Sequence, residues 1–179
     1  MILLIIKPGQ EGSSEVSKFR PISLLDIGGK VLEKIMIDRI NHHVYSNGYM
    51  NENQHGFRPQ KYHRCGYGNK KNLVEQGLAC GEVIALVSLD VLGAFDAAWW
   101  PGILKELRYC KCPKNICELT KSYFTQRSAV MTTNTLRIEK EISRGFPQGS
   151  CSGPGFWSLQ YNSLLQLKFM DRTWLSQMT

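Results

Sequence analysis

Residues 83–100, Val-Ile-Ala-Leu-Val-Ser-Leu-Asp-Val-Leu-Gly-Ala-Phe-Asp-Ala-Ala-Trp-Trp, constrain the fold more than any other stretch. Val83 to Leu89 is apolar and rich in β-branched side chains, which fits a strand buried on both faces. In α/β proteins the chemistry gathers at the carboxyl ends of such strands, and here that end delivers Asp90. A carboxylate in this place costs free energy unless it is paired, hydrogen-bonded or bound to a cation. Gly93 opens a turn, and Phe95 and Asp96 follow. From the residues alone, Asp90 is either a cation ligand or a helix cap, with Asp96 solvated.

The chain has 179 residues, enough for one domain or part of a larger one. At 42% hydrophobic it can bury a core, and its net charge of +7 favours an anionic partner, most simply nucleic acid. The six cysteines include no Cys-x-x-Cys pair. The spacing of Cys110, Cys112 and Cys117 fits no common zinc site, so free thiols in a reducing compartment are expected. Met1–Ile6 is apolar but far too short to span a membrane. It lacks the features of a signal peptide and is expected to be a strand.

Lys7-Pro8-Gly9-Gln10 is a turn. Phe19-Arg20-Pro21-Ile22-Ser23-Leu24-Leu25 precedes Gly28-Gly29-Lys30 and a helix in which Leu32, Ile35, Met36 and Ile40 share a face. Read without neighbours, Arg20 is a surface side chain. Gln54-His55-Gly56-Phe57-Arg58-Pro59 follows. By itself Arg58 anchors its loop or contacts an anion, and His55 is expected to be structural. Pro101 suits the first position of a helix with Ile103, Leu104 and Leu107 on its apolar face. Pro113 starts another, with Ile116, Leu119 and Tyr123 on one side. Ala129–Thr133 and Leu136–Ile142 predict two strands joined near Asn134-Thr135. In Arg144-Gly145-Phe146-Pro147-Gln148-Gly149-Ser150, Gly and Pro set a rigid turn whose backbone can approach a ligand closely.

Together these stretches resemble the reverse transcriptase domain of non-LTR retrotransposons of the R1 type. Asp90-x-x-x-Ala94-Phe95-Asp96 is similar to motif A, Arg144–Ser150 to motif B, and the Arg-Pro-Ile-Ser-Leu-Leu and Gln-His-Gly-Phe-Arg stretches to the fingers. Phe146 stands where these elements often have Cys, and Ser158 where Asn is usual. The resemblance covers nearly the whole chain. It implies an α/β right-hand polymerase fold, with fingers over about 1–80 and the first part of the palm over about 81–179. It also implies roles. Asp90 and the Val91 carbonyl would hold Mg²⁺, two ions in a complete enzyme. Phe95 would gate the sugar, Gln148 would position the nucleotide, and Arg20 and Arg58 would serve phosphates. The implied partners are an RNA template, a DNA primer or target and a dNTP, with no membrane, and the implied location is the nucleus.

Two stretches depart from the pattern. Tyr62–Asn69 has no clear apolar period where the family carries a helix; its codons read one base later can spell Thr-Thr-Asp-Ala-Ala-Met-Ala. Motif C, with its Asp-Asp pair, is absent, and the chain reads Trp174-Leu175-Ser176-Gln177-Met178-Thr179. The codons GTG GCT TTC GCA GAT GAC encode Val-Ala-Phe-Ala-Asp-Asp; one base later they become TGG CTT TCG CAG ATG ACN, which is that tail. Both stretches are therefore expected to be out-of-frame translations. Without the second aspartate pair the chain is expected not to polymerise, and the open half palm exposes apolar surface. The alternatives are a non-enzymatic nucleic-acid-binding remnant and a non-functional pseudogene product.

Overall fold

The computed structural model describes residues 2–12, 15–58, 71, 72, 74–85, 90, 91, 93–132 and 136–165. Strand β1 (Ile2–Ile6) pairs antiparallel with β2 (Phe19–Ser23), in the register Ile2 to Ser23 through Ile6 to Phe19. The turn at Lys7–Gln10 closes with Gln10 N donating to Lys7 O, and Gly9 supplies the positive φ of 78°.

Helix α1 (Ile27–Ser46) starts at Asp26, whose carboxylate accepts from Gly29 N at 2.6 Å, an N-cap in a position where Asp is favoured. It stops at Gly48, which takes the left-handed conformation common just past a helix end. Its buried residues are Glu33, Met36, Ile37, Ile40 and Val44. The expected face is thus rotated. Leu32 and Ile35 are 48% and 47% exposed, and with Ile27 and Val31 they form an open apolar stripe. The rotation follows from Glu33, which finds hydrogen-bond donors inside the core and turns that edge of the helix inward.

The expected strand at 83–89 is not formed in its described part. Residues 83–85 are irregular, and Val83 is fully exposed. A doubly buried strand needs ladder partners on both sides, and none of the described strands pairs with these residues. Residues 86–89, the 62–69 block, the Asn134-Thr135 turn and the tail at 174–179 lie outside the described residues. Residues 74–79 are helical.

Helix α2 (Trp100–Tyr109) carries Pro101 in its first turn, and α3 (Lys114–Phe124) follows Pro113. Strands β3 (Ser128–Thr132) and β4 (Arg137–Glu141) form the second hairpin, and helix α4 (Gly153–Leu165) completes the described chain. Ile103 and Leu107 of α2, and Ile116, Thr120 and Phe124 of α3, are buried, while Leu104, Leu119 and Tyr123 flank them. The centre of the core is aromatic. Phe156 stacks on Phe146 at 5.5 Å and tilts against Phe124 at 5.2 Å, and Trp100 stacks on Phe124 at 5.1 Å. Met36, Ile37 and Ile40 pack into the same core, so residues before and after position 80 share it. No described helix is long and apolar enough to cross a membrane.

The described cysteines are free thiols: Cys80 and Cys151 exposed, Cys110 and Cys112 buried, Cys117 between. Burial pushes the Cys110 thiol up to about 11, and burial with neighbouring thiols pushes Cys112 up to about 12. Both folded values lie above the ordinary 9.0. The unfolded chain therefore loses these protons first, and stability is expected to fall as pH rises from about 9 towards 12. Denaturant melts across this range check the sign. A chain in which both are replaced by Ser or Ala should lose the thiol part of that alkaline slope and keep the part due to the raised Tyr45 and Tyr123 phenols.

Candidate functional site

The site forms around the turn at 144–150, where Gly145 (φ 84°) and Gly149 (φ 110°) set the path. Gly145 N donates to Ala98 O and Phe146 N to Phe95 O, both at 2.8 Å. Gly145 O in turn accepts from Trp100 Nε1 at 2.9 Å. On the other side, Ser23 N donates to Gln148 O at 2.9 Å, and Ile22 and Gln148 make an isolated parallel bridge. The glycines are required by these approaches. A Cβ at 145 would lie 2.7 Å from Asp96 O, and one at 149 would lie 2.9 Å from Ser23 O. The turn is clamped by backbone between the 93–98 segment and the end of β2.

This places three of the sequence-predicted residues on adjoining segments. Gln148 is in the turn and half-buried. Phe95 O accepts from Phe146 N as part of the clamp. Arg20 is exposed on β2, on the same face as Ile22 by strand alternation. The Phe95 ring lies between Phe57, at 6.0 Å and edge-on, and Trp157, at 6.2 Å. Phe57 has a φ of 52°, an uncommon and strained conformation for a bulky side chain.

Asp90 and Val91 are exposed and outside regular structure, and Asp96 is exposed beside the turn. Their oxygen donors suit a hard cation that keeps most of its waters, as Mg²⁺ does. Among the described residues, no group of three His, Cys, Asp or Glu side chains converges as a metal site. Arg58 Nη1 donates to Asn51 O at 3.1 Å, and its guanidinium lies 5.4 Å from the Tyr45 ring centroid, so it ties down the loop it belongs to.

That loop is seated on α4. Asn162, fully buried, accepts from Asn51 N at 2.7 Å and donates to Tyr49 O at 3.0 Å. Ser158 donates to Gly56 O and accepts from Gln54 Nε2, each at 3.3 Å. His55 is buried with the loop.

Sequence reasoning missed Glu33, Tyr123 and Ser150, which meet behind the turn. Tyr123 donates to Glu33 Oε1, and Ser150 Oγ and Cys151 N donate to Oε2 at 2.9 and 2.8 Å. Burial, then the hydrogen bond to Glu33, raises the Tyr123 phenol above its ordinary range. The signal that could have found Ser150 is a polar side chain shortly before a helix start. Nothing local marks Glu33, because a single Glu on a charged helix reads as solvated.

The family described as "Reverse transcriptase (RNA-dependent DNA polymerase)" matches residues 5–169. The chain is 32% identical over 169 residues to the Retrovirus-related Pol polyprotein from type-1 retrotransposable element R1 of Bradysia coprophila, covering 92% of this chain and 16% of that protein. It is 32% identical over 164 residues to the RNA-directed DNA polymerase from mobile element jockey of Drosophila funebris, covering 88% and 17%. It spans about a sixth of the length of these curated relatives. A turn clamped between an aspartate-bearing segment and a strand end, together with a match over nearly the full chain, places this polypeptide in the reverse transcriptase (RNA-dependent DNA polymerase) family.

Proposed function

We propose that the chain is the fingers and first part of the palm of an RNA-directed DNA polymerase from an R1-type element, and that it holds an RNA template paired to a DNA primer. The backbone clamp carries this reading. It joins the strand of Arg20, the turn of Gln148 and the segment of Phe95 into one rigid junction. On this reading Arg20 contacts the dNTP phosphates, Phe95 limits space at the sugar, and Gln148 sits under the base. Arg58 acts through the loop that carries Phe57 against Phe95. The net charge of +7 adds affinity for phosphates.

Asp90 and the Val91 carbonyl would hold Mg²⁺. When bound, Mg²⁺ supplies activation of the primer 3′-hydroxyl and neutralisation of the triphosphate. The copying itself belongs to a longer polypeptide acting on nuclear DNA. The 179 residues contain no Asp-Asp pair, so this chain alone is expected to give no primer extension.

The test is fluorescence anisotropy of a labelled DNA primer on an RNA template, with and without Mg²⁺ and the complementary dNTP. Mg²⁺ with dNTP is expected to tighten binding, and Asp90→Ala or chelation to abolish that gain. Arg20→Ala should weaken the dNTP-dependent gain by about tenfold, the loss of one charge-assisted phosphate contact. Hybrid binding that ignores Asp90→Ala, chelation and dNTP alike would replace this reading with a non-enzymatic nucleic-acid-binding remnant, which the basic charge by itself favours.

A further inference from the structure

We infer that Glu33 is a positioning residue: its buried carboxylate, reaching across from α1, holds the 147–150 turn that carries Gln148. The importance of that turn for nucleotide rests on the function proposed above; the grip itself does not.

Glu33 is 2% exposed, and the neighbouring buried positions of α1, Met36, Ile37 and Ile40, are all apolar. A carboxylate in such a row is tolerated only where donors meet it. It has three, and all come from other elements. Tyr123 of α3 donates to Oε1, while Ser150 Oγ and Cys151 N donate to Oε2. Ser150 Oγ, while donating to Glu33, accepts from Ser152 N and Gly153 N, each at 3.2 Å. These belong to the start of α4, whose first amides have no partner within the helix. The negative charge therefore lies at the end of α4 where the helix dipole favours it. Tyr123 is itself covered by the Arg127 guanidinium, 4.3 Å from its ring centroid.

The geometry at the two ends of the turn gives the carboxylate its role. Just before Gly149 the turn is fixed by Ser23 N on Gln148 O. Just after Gly149 it is fixed by Glu33 on Ser150 and Cys151. Both grips come from one short piece of chain, the end of β2 and the start of α1, joined by Leu24 to Asp26. Gln148 is gripped directly on one side of Gly149, and its neighbours Ser150 and Cys151 on the other. A displacement of this amino-terminal piece therefore moves the turn as a unit.

The test uses the full 179-residue chain and four variants: Glu33→Ala, Glu33→Gln, Ser150→Ala, and Val44→Ala as a core control elsewhere on α1. Amide hydrogen exchange is read by mass spectrometry. Glu33→Ala and Ser150→Ala are expected to speed exchange over 147–152 by about tenfold, the loss of hydrogen bonds to a charged acceptor. The 116–124 helix should stay protected. Glu33→Gln should restore most of the protection, because its amide oxygen still accepts from Ser150 and Cys151 while its NH₂ faces the Tyr123 hydroxyl. Val44→Ala should raise exchange without preference for the turn.

A uniform rise in Glu33→Ala, or the same local rise in Val44→Ala, would overturn the inference. If Glu33→Ala does not fold, the comparison of Glu33→Gln with Ser150→Ala decides: protection kept in the first and lost in the second supports the inference, and equal loss or equal retention sinks it. Anisotropy with the RNA–DNA hybrid and dNTP is run on the same proteins. Absence of dNTP-dependent binding in the unmutated chain would count against the proposed function, and exchange would still decide the role of Glu33.

Discussion

Phe156→Ala is expected to leave the chain without a cooperative unfolding transition at 25 °C. Phe156 is fully buried and touches three other rings: Phe146 at 5.5 Å, Phe124 at 5.2 Å and Tyr123 at 6.2 Å. These come from the turn and from α3, so one side chain ties both to α4. Truncating a buried Phe to Ala costs about 3–5 kcal/mol, from lost transfer free energy and the cavity left behind. A domain has about 5–15 kcal/mol in total, and this one leaves Leu3, Leu4, Ile27 and Val31 exposed, which puts it at the low end. The measurement is a urea titration followed by far-UV circular dichroism. A Phe156→Ala chain that melts within about 1 kcal/mol of the unmutated one would show that the aromatic cluster is not the stabilising centre.

The second large effect is expected at Gly145→Ala. Two penalties combine there. The φ of 84° disfavours any L-residue, by about 1–2 kcal/mol. In addition the new methyl would sit 2.7 Å from the Asp96 carbonyl oxygen. Neither partner can withdraw cheaply, because Gly145 N and O are both hydrogen-bonded, to Ala98 O and Trp100 Nε1. A total of about 2–4 kcal/mol is expected, with separation of the 93–98 segment from the turn. Gly81→Ala isolates the two penalties, since Gly81 has a φ of 73° but nothing within 4 Å of a Cβ. It should lose only about 1 kcal/mol. Equal losses at the two positions would mean that the close approach to Asp96 contributes nothing. The functional reading of Gly145→Ala is loss of dNTP-dependent hybrid binding at temperatures where the helices remain folded.

The contrast between these glycines and the strand expected at 83–89 shows what a sequence can carry. The 144–150 turn was legible because Gly, Pro, Gln and Gly act locally, through φ and ring geometry. Helices α2 and α3 were legible from a proline at the start and an apolar period. The β1 strand and the β3–β4 hairpin were also legible, since short apolar or alternating runs bounded by turn residues need only each other. Val83–Ala85 failed because a doubly buried strand is specified by neighbours, and a run of Val and Ile without them stays exposed. The face of α1 failed for a different reason. Periodicity assigns a Glu to water, and only the donors of Tyr123, Ser150 and Cys151, brought in from distant sequence, reverse that preference. The candidate site divided along the same line. Phe95, Gln148 and Arg20 could be named, but the backbone junction that gathers them is made by pairings no local pattern encodes.

That junction bears on how genes of this kind can be shuffled. Ser23 and Glu33 grip a turn encoded far downstream, so the two stretches act as one inherited block separated by a long insert. A crossover between two diverged copies, falling anywhere from codon 34 to codon 144, would mate one parent's grip with the other parent's turn. Hybrids that keep both stretches from one parent should keep this grip matched, provided the exchanged interval still supplies the Phe95 and Ala98 carbonyls and the Tyr123 hydroxyl that meet the turn and Glu33.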